Sequence, residues 1–571
     1  MTTLKKTTII LLALLAIFFL RGLYMNNYHS LTSDEPVIYT GLALWKTGDF
    51  ALSPTHPPGM KLLMAAFTLP LGLNVPIPAG YPHVDEFLYG RLLVFQYNQQ
   101  IFQSIIFWSR LPSLLLGILA GFYVYRWAVE ITNRKSAIFA VALYAFCPLI
   151  VAYSAISDND IMITAFFIMT LYHFKKYIQS GETTQGILTG LFLGIALLSK
   201  HTGILLIPIM FITAAILLFT PQSVPLLKNI KERLASKEDT RKSKGIGSKD
   251  SSRKGIGERF LAAAVFFVFI GVIAALVVNA GYFFQGTFTP MRDYQFTGHF
   301  LTAFNNPAIG FIPVPLPFWY LKGFETSQIF STGPHYFMGA WLTSEDWYFF
   351  IFSVLVKTPL AMLIMLIVAF ALFPKLKNDR TIDMILIMLT VVGITLFFSL
   401  SQYKLGVRHL LPIYPLIFIF LAMLYQYAQE HLNLKRALYV LFAWYLISSV
   451  AVHPHYLSYF NELIGGSANG YKYFLDSNVD WGQDLNAVTP WMNTHGISEV
   501  GLSYFGSDIP ALRGINTHII PCNYTKGVQV LSVNNLYGYI FTGQPQDCYT
   551  WLRNITPAGR IGYSMLVFNI Q

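Results

Sequence analysis

The sequence predicts an all-α polytopic membrane protein with about eleven transmembrane helices, followed by a small α/β domain at the C-terminal end. Of its 571 residues, 54% are hydrophobic and only 12% are charged, whereas a soluble chain carries roughly a quarter charged residues. The apolar residues occur in long runs, and a helix needs about 20 such residues to span a bilayer. Such a chain lacks the polar side chains that would cover a water-facing surface.

Eleven apolar runs have the length and composition that predict membrane spans. They cover residues 7–24, 104–127, 136–155, 161–178, 184–199, 203–220, 260–281, 349–373, 381–400, 409–428 and 436–452. The runs on either side of Lys200 form one long apolar stretch, which the polar residues Ser199, Lys200 and His201 divide.

The formal net charge of +11 is concentrated in short gaps between these runs. Residues 220–259 hold eleven Lys or Arg but only five Asp or Glu. With eleven spans and a cytoplasmic N-terminus, this segment and every smaller basic cluster fall on the cytoplasmic side, as the positive-inside rule requires. The charge therefore indicates a membrane protein and argues against nucleic acid as a partner. The smaller clusters are Lys5-Lys6, Arg134-Lys135, Lys175-Lys176, Lys375 to Arg380 and Lys435-Arg436.

The same topology predicts how the chain is divided. The first part is a transmembrane domain at 1–452, and the second is an extracytoplasmic domain at 453–571. The transmembrane domain has external loops at 25–103 and 282–348 and a basic, disordered cytoplasmic loop at 221–258. The extracytoplasmic domain contains Cys522 and Cys548, and an oxidising compartment would allow a disulfide between them. The sequence alone gives no distance between the two residues, so it does not decide whether they are bonded.

Acidic and basic side chains gather in the turns that this topology places outside. Adjacent carboxylates at a membrane surface are expensive to desolvate and usually have a function, although a helix cap would also explain them. Carboxylates near Arg and Lys suit a site that binds a phosphate while it activates a hydroxyl group. The acids are Asp34, Glu35, Asp158 and Asp160, and the other residues are His56, Lys61, Lys200, Arg408 and His409.

These motifs, in this order, resemble the bacterial relatives of protein O-mannosyltransferase in the GT-C class, in the subgroup called phospholipid carrier-dependent glycosyltransferases. Asp34-Glu35 and His56-Pro57-Pro58 with Lys61 are similar to the family's first external loop. The eukaryotic enzymes carry a β-trefoil domain in their second long external loop, and 282–348 is too short to hold one. The other similar stretches are Gly194 to Lys200, His335-Tyr336, Trp347 to Phe350, Lys357 to Pro359, Arg408 to Pro415, Tyr459 to Glu462 and Asp476 to Asp484.

The resemblance implies an inverting transfer of a sugar from a polyprenyl-phosphate donor to a hydroxyl of a protein, glycan or lipid. It implies Asp34 as general base and Glu35 as a residue that orients a substrate. Arg408 would bind the donor phosphate, with Lys61, Lys200 and His409 as further candidates. Other candidate site residues are His56, Asp158, Asp160 and His335. The Asp476 to Asp484 segment either organises a turn or contacts the acceptor.

No cofactor is implied, and a divalent metal bound by His56, Glu35 or Asp158 stays an open alternative. The expected location is a bacterial inner (plasma) membrane, with the site and the C-terminus extracytoplasmic. A transporter or lipid flippase is the competing class, but transporters place ionisable residues near the middle of the membrane in broken helices. A membrane receptor or scaffold would explain the C-terminal domain without the clustered charges. Neither the sugar, the acceptor, the lipid length nor the oligomeric state follows from the sequence.

Overall fold

The computed structural model describes residues 3–77, 85–218, 251–298, 301–329, 333–343, 346–376, 381–402, 404–539 and 545–571. The helices are α1 (Thr3–Tyr28), α2 (Glu35–Tyr39), α3 (Gly41–Thr47), α4 (Gly59–Thr68), α5 (Glu86–Leu92), α6 (Phe102–Ile131), α7 (Arg134–Phe146), α8 (Pro148–Ser154), α9 (Asn159–Ser180), α10 (Thr183–Ser199), α11 (Leu206–Leu218), α12 (Ser251–Gly281), α13 (Phe318–Ile329), α14 (Phe349–Lys357), α15 (Leu360–Ala371), α16 (Phe373–Leu376), α17 (Thr381–Leu400), α18 (Tyr414–Ala428), α19 (Leu432–Ala451), α20 (Val488–His495), α21 (Val533–Leu536) and α22 (Thr550–Arg553). The strands are β1 (His335–Phe337), β2 (Ala340–Leu342), β3 (Val500–Ser503), β4 (Thr517–Ile519), β5 (Gly527–Ser532), β6 (Gly559–Ile561) and β7 (Met565–Ile570).

As far as the structure describes them, the eleven predicted spans each fall on a helix or on consecutive helical segments, and residues 219–220 of the span 203–220 lie outside the described residues. Within the part of the chain that the structure describes, seven helical segments are long and apolar enough to cross a membrane, and nine are if two bent pairs each count as one span. The two other predicted spans correspond to α9 and α10, which have 22 and 17 residues. The prediction of a helical polytopic membrane protein is confirmed, and the count of eleven stays a prediction.

The two bent pairs owe their shape to proline. The axes of α7 and α8 differ by 61° across Cys147-Pro148, and those of α14 and α15 by 113° across Thr358-Pro359. Proline lacks a backbone N–H and pushes the preceding residue out of the helical region. Cys147 and Thr358 accordingly have extended ψ angles of 117° and 135°. Lys357, the last residue of α14, donates from its ammonium to the Leu457 and Asn478 carbonyls at 2.8 and 2.6 Å.

The C-terminal region folds as a mixed sheet with short helices, which confirms the predicted α/β character. Its strand order is β4-β3-β5-β7-β6. β3 pairs in parallel with β4 and β5, whereas β7 is antiparallel to β5 and β6. One face of the sheet has its own apolar core, which includes Leu485, Val500 and Val567. Cys522 and Cys548 form a disulfide with a Cα–Cα distance of 4.3 Å, which answers the question that the sequence left open.

One segment predicted as a polar loop, and one lysine of a predicted basic cluster, differ from expectation. Residues 219–250 of the predicted cytoplasmic loop lie outside the described residues, but 251–258 belong to α12. Lys175, predicted as part of a cytoplasmic basic cluster at the end of the span 161–178, lies in α9 with a side chain that is 1% exposed. Its ammonium is 2.8 Å from the Asp383 carboxylate and 3.3 Å from that of Glu130. A buried cation needs such partners, so Lys175 joins α9 to α6 and α17.

Candidate active site

The segment that carries Asp34 is held by the C-terminal region. The Ser33 N–H donates to the Trp481 carbonyl at 2.9 Å. The Leu31 N–H donates to the Asp508 carboxylate, also at 2.9 Å. Two separate stretches of the C-terminal region therefore fix the backbone immediately before Asp34.

Glu35 is engaged by a buried arginine. Both side chains have no exposed surface, and the two Arg110 nitrogens that face Glu35 lie 2.7 Å from its carboxylate oxygens. The same carboxylate accepts from the Thr32 and Ser157 backbone N–H groups at 2.8 and 2.9 Å. The guanidinium also donates to three backbone carbonyls within 26–30. In this structure Glu35 thus joins α2, α6 and the turn before α9, and its predicted role in orienting a substrate stays a prediction.

Asp34 is the residue before α2 and has a different environment. Its side chain makes no capping hydrogen bond to the helix, so the helix cap that would have explained this carboxylate is not formed. It is 36% exposed, and one of its oxygens accepts a hydrogen bond of 3.1 Å from Arg408. Of the two adjacent acids, only Asp34 has a side chain that is partly exposed, because Glu35 is fully buried.

Arg408 lies at the centre of three carboxylates. It occupies a 3₁₀ helix, Val407–Ile413, that precedes α18. The Arg408 nitrogen that contacts Asp34 is also 3.7 Å from Asp158 and 4.0 Å from Asp160. These three acids come from two turns that are distant in the sequence, so the fold assembles most of the polar cluster that the sequence predicted.

Lys200 adds a second positive charge to the same cluster. Its ammonium donates to Asp160 at 2.6 Å and lies 3.3 Å from His409 Nδ1. Burial, and after it the neighbouring Asp160 carboxylate, raise the pKa of Asp158 well above its ordinary range. Asp34 and Asp160 are the acids of this cluster that lie nearest to a cation, at 3.1 Å from Arg408 and 2.6 Å from Lys200.

Trp481 forms the wall of the site behind the arginine. The Arg408 guanidinium lies 4.5 Å from the centre of the indole ring, and Trp481 is fully buried. Its ring also packs edge-on against Tyr153 at 6.0 Å. A desolvated cation over an indole face is attracted by about 2 kcal/mol or more, so Trp481 holds the guanidinium plane in place.

The charges of Lys61, Lys200 and His201 all act on the His56 imidazole, so these residues lie near one another. The Lys61 ammonium is fully buried and donates to the backbone carbonyls of Ser53 and His56, at 2.8 and 3.1 Å, and to the Ser53 hydroxyl. These contacts use its three protons to hold the turn at 53–56, and its predicted phosphate role stays a prediction. His201 packs against the rings of Tyr320 and Phe324, 5.3 and 5.5 Å away.

His335 belongs to a separate group of residues. It begins β1, and its Nε2 is 3.1 Å from the Asp346 carboxylate. The hairpin of β1 and β2 joins the C-terminal region through a bridge between Phe337 and Phe474. His335 therefore does not contact Asp34 or Arg408 directly, although it lies near Asp476.

The acids of the Asp476 to Asp484 segment divide into two kinds. Asp480 accepts from the Gly482 N–H at 3.0 Å and from the Ser532 hydroxyl, and burial raises its pKa to about 7. Asp484 is 3.1 Å from His455 and accepts from the Ser564 hydroxyl at 2.8 Å. Both of these acids organise the turn that supports Trp481. Asp476 instead lines a cleft.

Two contributors to the site were not predicted. Arg110 lies inside the predicted span 104–127, and an arginine within an apolar run is itself a signal of a buried partner. Trp481 lies in the motif from Asp476 to Asp484. No sequence pattern places its side chain against Arg408, so the sequence predicts no role for it. Across the described residues, no group of three or more His, Cys, Asp or Glu could hold a metal ion.

Known proteins with similar features support the resemblance. Residues 93–236 match a family model described as dolichyl-phosphate-mannose-protein mannosyltransferase. The matched segment begins after the end of α5, contains α6 to α11, and includes Arg110, Asp158, Asp160 and Lys200. The resemblance predicted from the motifs is confirmed. No curated protein sequence matches the chain.

Several solved structures of membrane transferases also match. ArnT from Cupriavidus metallidurans bound to undecaprenyl phosphate has 13% identity over 99% of this chain and 98% of its own, with a TM-score of 0.41. An Archaeoglobus fulgidus oligosaccharyltransferase in complex with Zn and sulfate has 12% identity over 92% and 68%, with a TM-score of 0.43. The S. cerevisiae Pmt1–Pmt2 complex bound to the sugar donor has 18% identity over 50% and 34%, with a TM-score of 0.31. At these values the matches carry no information about the chemistry of this chain.

Proposed function

We propose that this protein is an integral membrane glycosyltransferase, of the hexosyl or mannosyl transferase kind, that takes its sugar from a polyprenyl-phosphate donor. The observation that carries the proposal is the arrangement at Asp34, a partly exposed carboxylate held at 3.1 Å by Arg408. A second cation, Lys200, lies in the same cluster. The family match over residues 93–236 supports the donor class.

The transfer inverts the anomeric carbon in this proposal. The acceptor hydroxyl attacks that carbon as its proton passes to Asp34, and the bond from the carbon to the phosphate oxygen breaks. The electron pair of that bond leaves with the polyprenyl phosphate. Because a phosphate is already a good leaving group, the site has to stabilise its charge rather than protonate it. The acceptor is a hydroxyl of a protein, a glycan or a lipid.

In this proposal, the side chains of Arg408 and Lys200 bind the donor phosphate. Among the described residues, the buried Arg408 Nε has no hydrogen-bond acceptor. This N–H group is therefore available to donate to a phosphate oxygen. Arginine binds phosphate oxygens in pairs, and a lysine acts as a point charge. The proposal requires no metal ion, because these two cations supply the positive charge.

We expect Arg408→Ala to weaken the binding of undecaprenyl phosphate by about tenfold or more, since a hydrogen bond to a charged group contributes about 1.5–3 kcal/mol. Binding is measured by native mass spectrometry on purified protein, and Arg436→Ala in α19 is the control because that residue lies in a predicted cytoplasmic cluster. Unchanged affinity in Arg408→Ala would transfer the phosphate role to Lys200 or Lys61.

We place the protein in a bacterial inner membrane with the site and the C-terminus outside the cytoplasm. The bond between Cys522 and Cys548 supports this orientation, because disulfides persist in oxidising compartments. A C-terminal alkaline phosphatase fusion is therefore expected to be active and a C-terminal green fluorescent protein fusion dark. The opposite pair of results would invert the topology.

The decisive experiment is turnover itself. Purified protein in lipid nanodiscs receives undecaprenyl phosphate carrying mannose, glucose or arabinose, together with an envelope extract as the source of acceptors. Release of undecaprenyl phosphate that requires both donor and acceptor supports the proposal. Movement of the intact donor across the bilayer without cleavage would favour the flippase alternative.

A further inference from the structure

The predicted external loop that follows α12 is poor in charged residues. Residues 282–321 contain only two Asp, Glu, Lys or Arg residues, Arg292 and Asp293, which lie 3.7 Å apart as an exposed pair of opposite sign. A typical soluble domain carries roughly a quarter charged residues. The loop therefore lacks the side chains that usually keep an external segment in water.

Four phenylalanine rings of this loop are exposed. Phe288 and Phe311 are 63% and 70% exposed, and Phe283 and Phe284 are 40% and 56% exposed. Apolar side chains that are exposed singly are common, whereas several together mark a surface that contacts a membrane or another protein. These four rings therefore indicate such a surface.

The loop buries other rings in an apolar core of its own. Tyr294 stacks against Phe296 and Phe318, with ring centres 5.2 and 5.0 Å apart. Leu301 and Val314 belong to the same buried cluster. The four exposed rings lie outside this cluster, so they are exposed although the loop has a core.

A backbone ladder joins two of the exposed rings. The Phe288 N–H donates to the Val314 carbonyl at 2.8 Å, and Pro290 pairs with Pro313 in an antiparallel bridge. Phe311 lies two residues before Pro313. Phe288 and Phe311 therefore belong to the same short ribbon.

Three of the phenylalanines have backbone conformations that favour glycine. The φ angle is +51° at Phe283, +58° at Phe284 and +65° at Phe288. Glycine adopts this left-handed region without strain, whereas a Cβ atom comes too close to the following carbonyl oxygen there. The contacts of the rings, and not the preference of the backbone, therefore have to account for phenylalanine at these positions.

The exposed face of α12 leads directly to this loop. Exposed apolar side chains recur along the helix at intervals of three or four residues, and they are Leu261, Val265, Val268, Val272 and Leu276. The apolar segment Phe260–Gly281 has 22 residues, which gives a length of about 33 Å. The hydrocarbon core of a bilayer is about 30 Å thick, so the helix leaves that core near Gly281. Phe283 and Phe284 then follow at the level of the lipid headgroups.

We propose that this loop inserts into the bilayer leaflet on the side of the candidate site, with the rings of Phe283, Phe284, Phe288 and Phe311 at the boundary between headgroups and acyl chains. Segments that combine apolar rings with few charges bind at this boundary, where the rings are buried and polar groups stay near water. The partner is the lipid surface, because the exposed rings continue along the chain from the exposed apolar face of α12. The inference goes beyond the transfer of a sugar and does not depend on it.

Insertion would give the candidate site a fixed height at the membrane surface. The Gln285 side chain donates to the Gly48 carbonyl, and the Phe283 ring centre lies 5.4 Å from that of Phe50. The segment that these contacts hold leads into the turn at 53–56, which belongs to the candidate site. A loop that contacts the headgroups and this turn thus keeps the site at the level of the lipid phosphates.

The test places a nitroxide label at Phe288→Cys or at Phe311→Cys in protein reconstituted in lipid nanodiscs. The natural cysteines do not compete for the label, because Cys147 is buried and Cys522 is bonded to Cys548. Electron paramagnetic resonance measures how often the label collides with oxygen, which concentrates in lipid, and with a nickel chelate, which stays in water.

Two further labels set the scale. Val268→Cys lies on the exposed face of α12 and reports on lipid, and Glu499→Cys lies on the exposed surface of the C-terminal region and reports on water. We expect the ratio of oxygen to nickel collisions at Phe288→Cys and Phe311→Cys to be several-fold above the ratio at Glu499→Cys. If one of the two loop variants does not fold, the other decides.

A ratio as low as that of Glu499→Cys at either loop position would place the rings in water and overturn the inference. Low collision rates with both reagents would show that protein covers the rings, for example a second copy of this chain, and would overturn it as well. The labels are read without donor or acceptor, so an absence of sugar transfer does not alter the result. A loop that lies in water likewise leaves the proposed function standing.

Discussion

Asp34→Asn is expected to lower turnover by about 10²–10⁴-fold, the usual contribution of a general base. The amide keeps the volume of the carboxylate and can still accept a hydrogen bond from Arg408, but it cannot take a proton. Donor affinity and thermal stability should change little, because Asp34 is partly exposed and makes no capping bond to α2. The measurement is initial rate against donor concentration, with the melting temperature of the same samples.

Asp158→Asn and Asp160→Asn are the matched comparisons, because both acids lie within 4.0 Å of the same Arg408 nitrogen as Asp34. Asp160 is already paired with Lys200 at 2.6 Å, and its loss should weaken donor binding through that lysine. Full activity in Asp34→Asn with loss in Asp158→Asn would move the base to Asp158. Full activity in all three variants would count against base-assisted transfer and favour a transporter.

The helices were predictable because apolar runs report directly on burial in a bilayer. Pro148 and Pro359 also make the breaks at Cys147-Pro148 and Thr358-Pro359 predictable from the sequence. The bend angles of 61° and 113° depend on packing, so the sequence alone does not give them. The basic-cluster rule did not anticipate Lys175. Charge counting assigns Lys175 to a side of the membrane but says nothing about its burial, and only the fold brings Asp383 from a distant helix to pair with it.

The site was predictable in its residue types and less so in its pairings. Asp34, Asp158, Asp160, Lys200 and Arg408 were all candidates, and they meet as one cluster. The family resemblance gave Asp34 and Glu35 different roles, but the sequence could not show that Glu35 is buried against Arg110, because Arg110 lies in another helix. For the segment from Asp476 to Asp484 the sequence left two roles open, organising a turn or contacting the acceptor, without separating the individual acids. In the structure, Asp480 and Asp484 accept hydrogen bonds from neighbouring hydroxyl and amide groups. Asp476 instead lines a cleft.

Glu35→Gln is expected to destabilise the fold by about 3–5 kcal/mol, the effect of removing one partner of a buried ion pair. The change leaves the fully buried Arg110 guanidinium with its charge uncompensated. Arg110 also holds the carbonyls at 26–30, so this variant should loosen the segment that leads to Asp34. Thermal unfolding in detergent and the folded yield on size exclusion measure the loss.

The comparison between the two adjacent acids separates a structural role from a catalytic one. Glu499→Gln is the control for the chemical change, because Glu499 is 50% exposed beside His518 and surface pairs contribute at most about 1 kcal/mol. A Glu35→Gln protein with native stability but depressed turnover would contradict the structural role and return Glu35 to the substrate. The expected pattern is the reverse for each residue: Glu35→Gln lowers the melting temperature, whereas Asp34→Asn leaves it unchanged and lowers the rate. That pattern follows from Arg110, since a carboxylate already bonded to a buried guanidinium and two backbone amides has no free acceptor for a substrate proton.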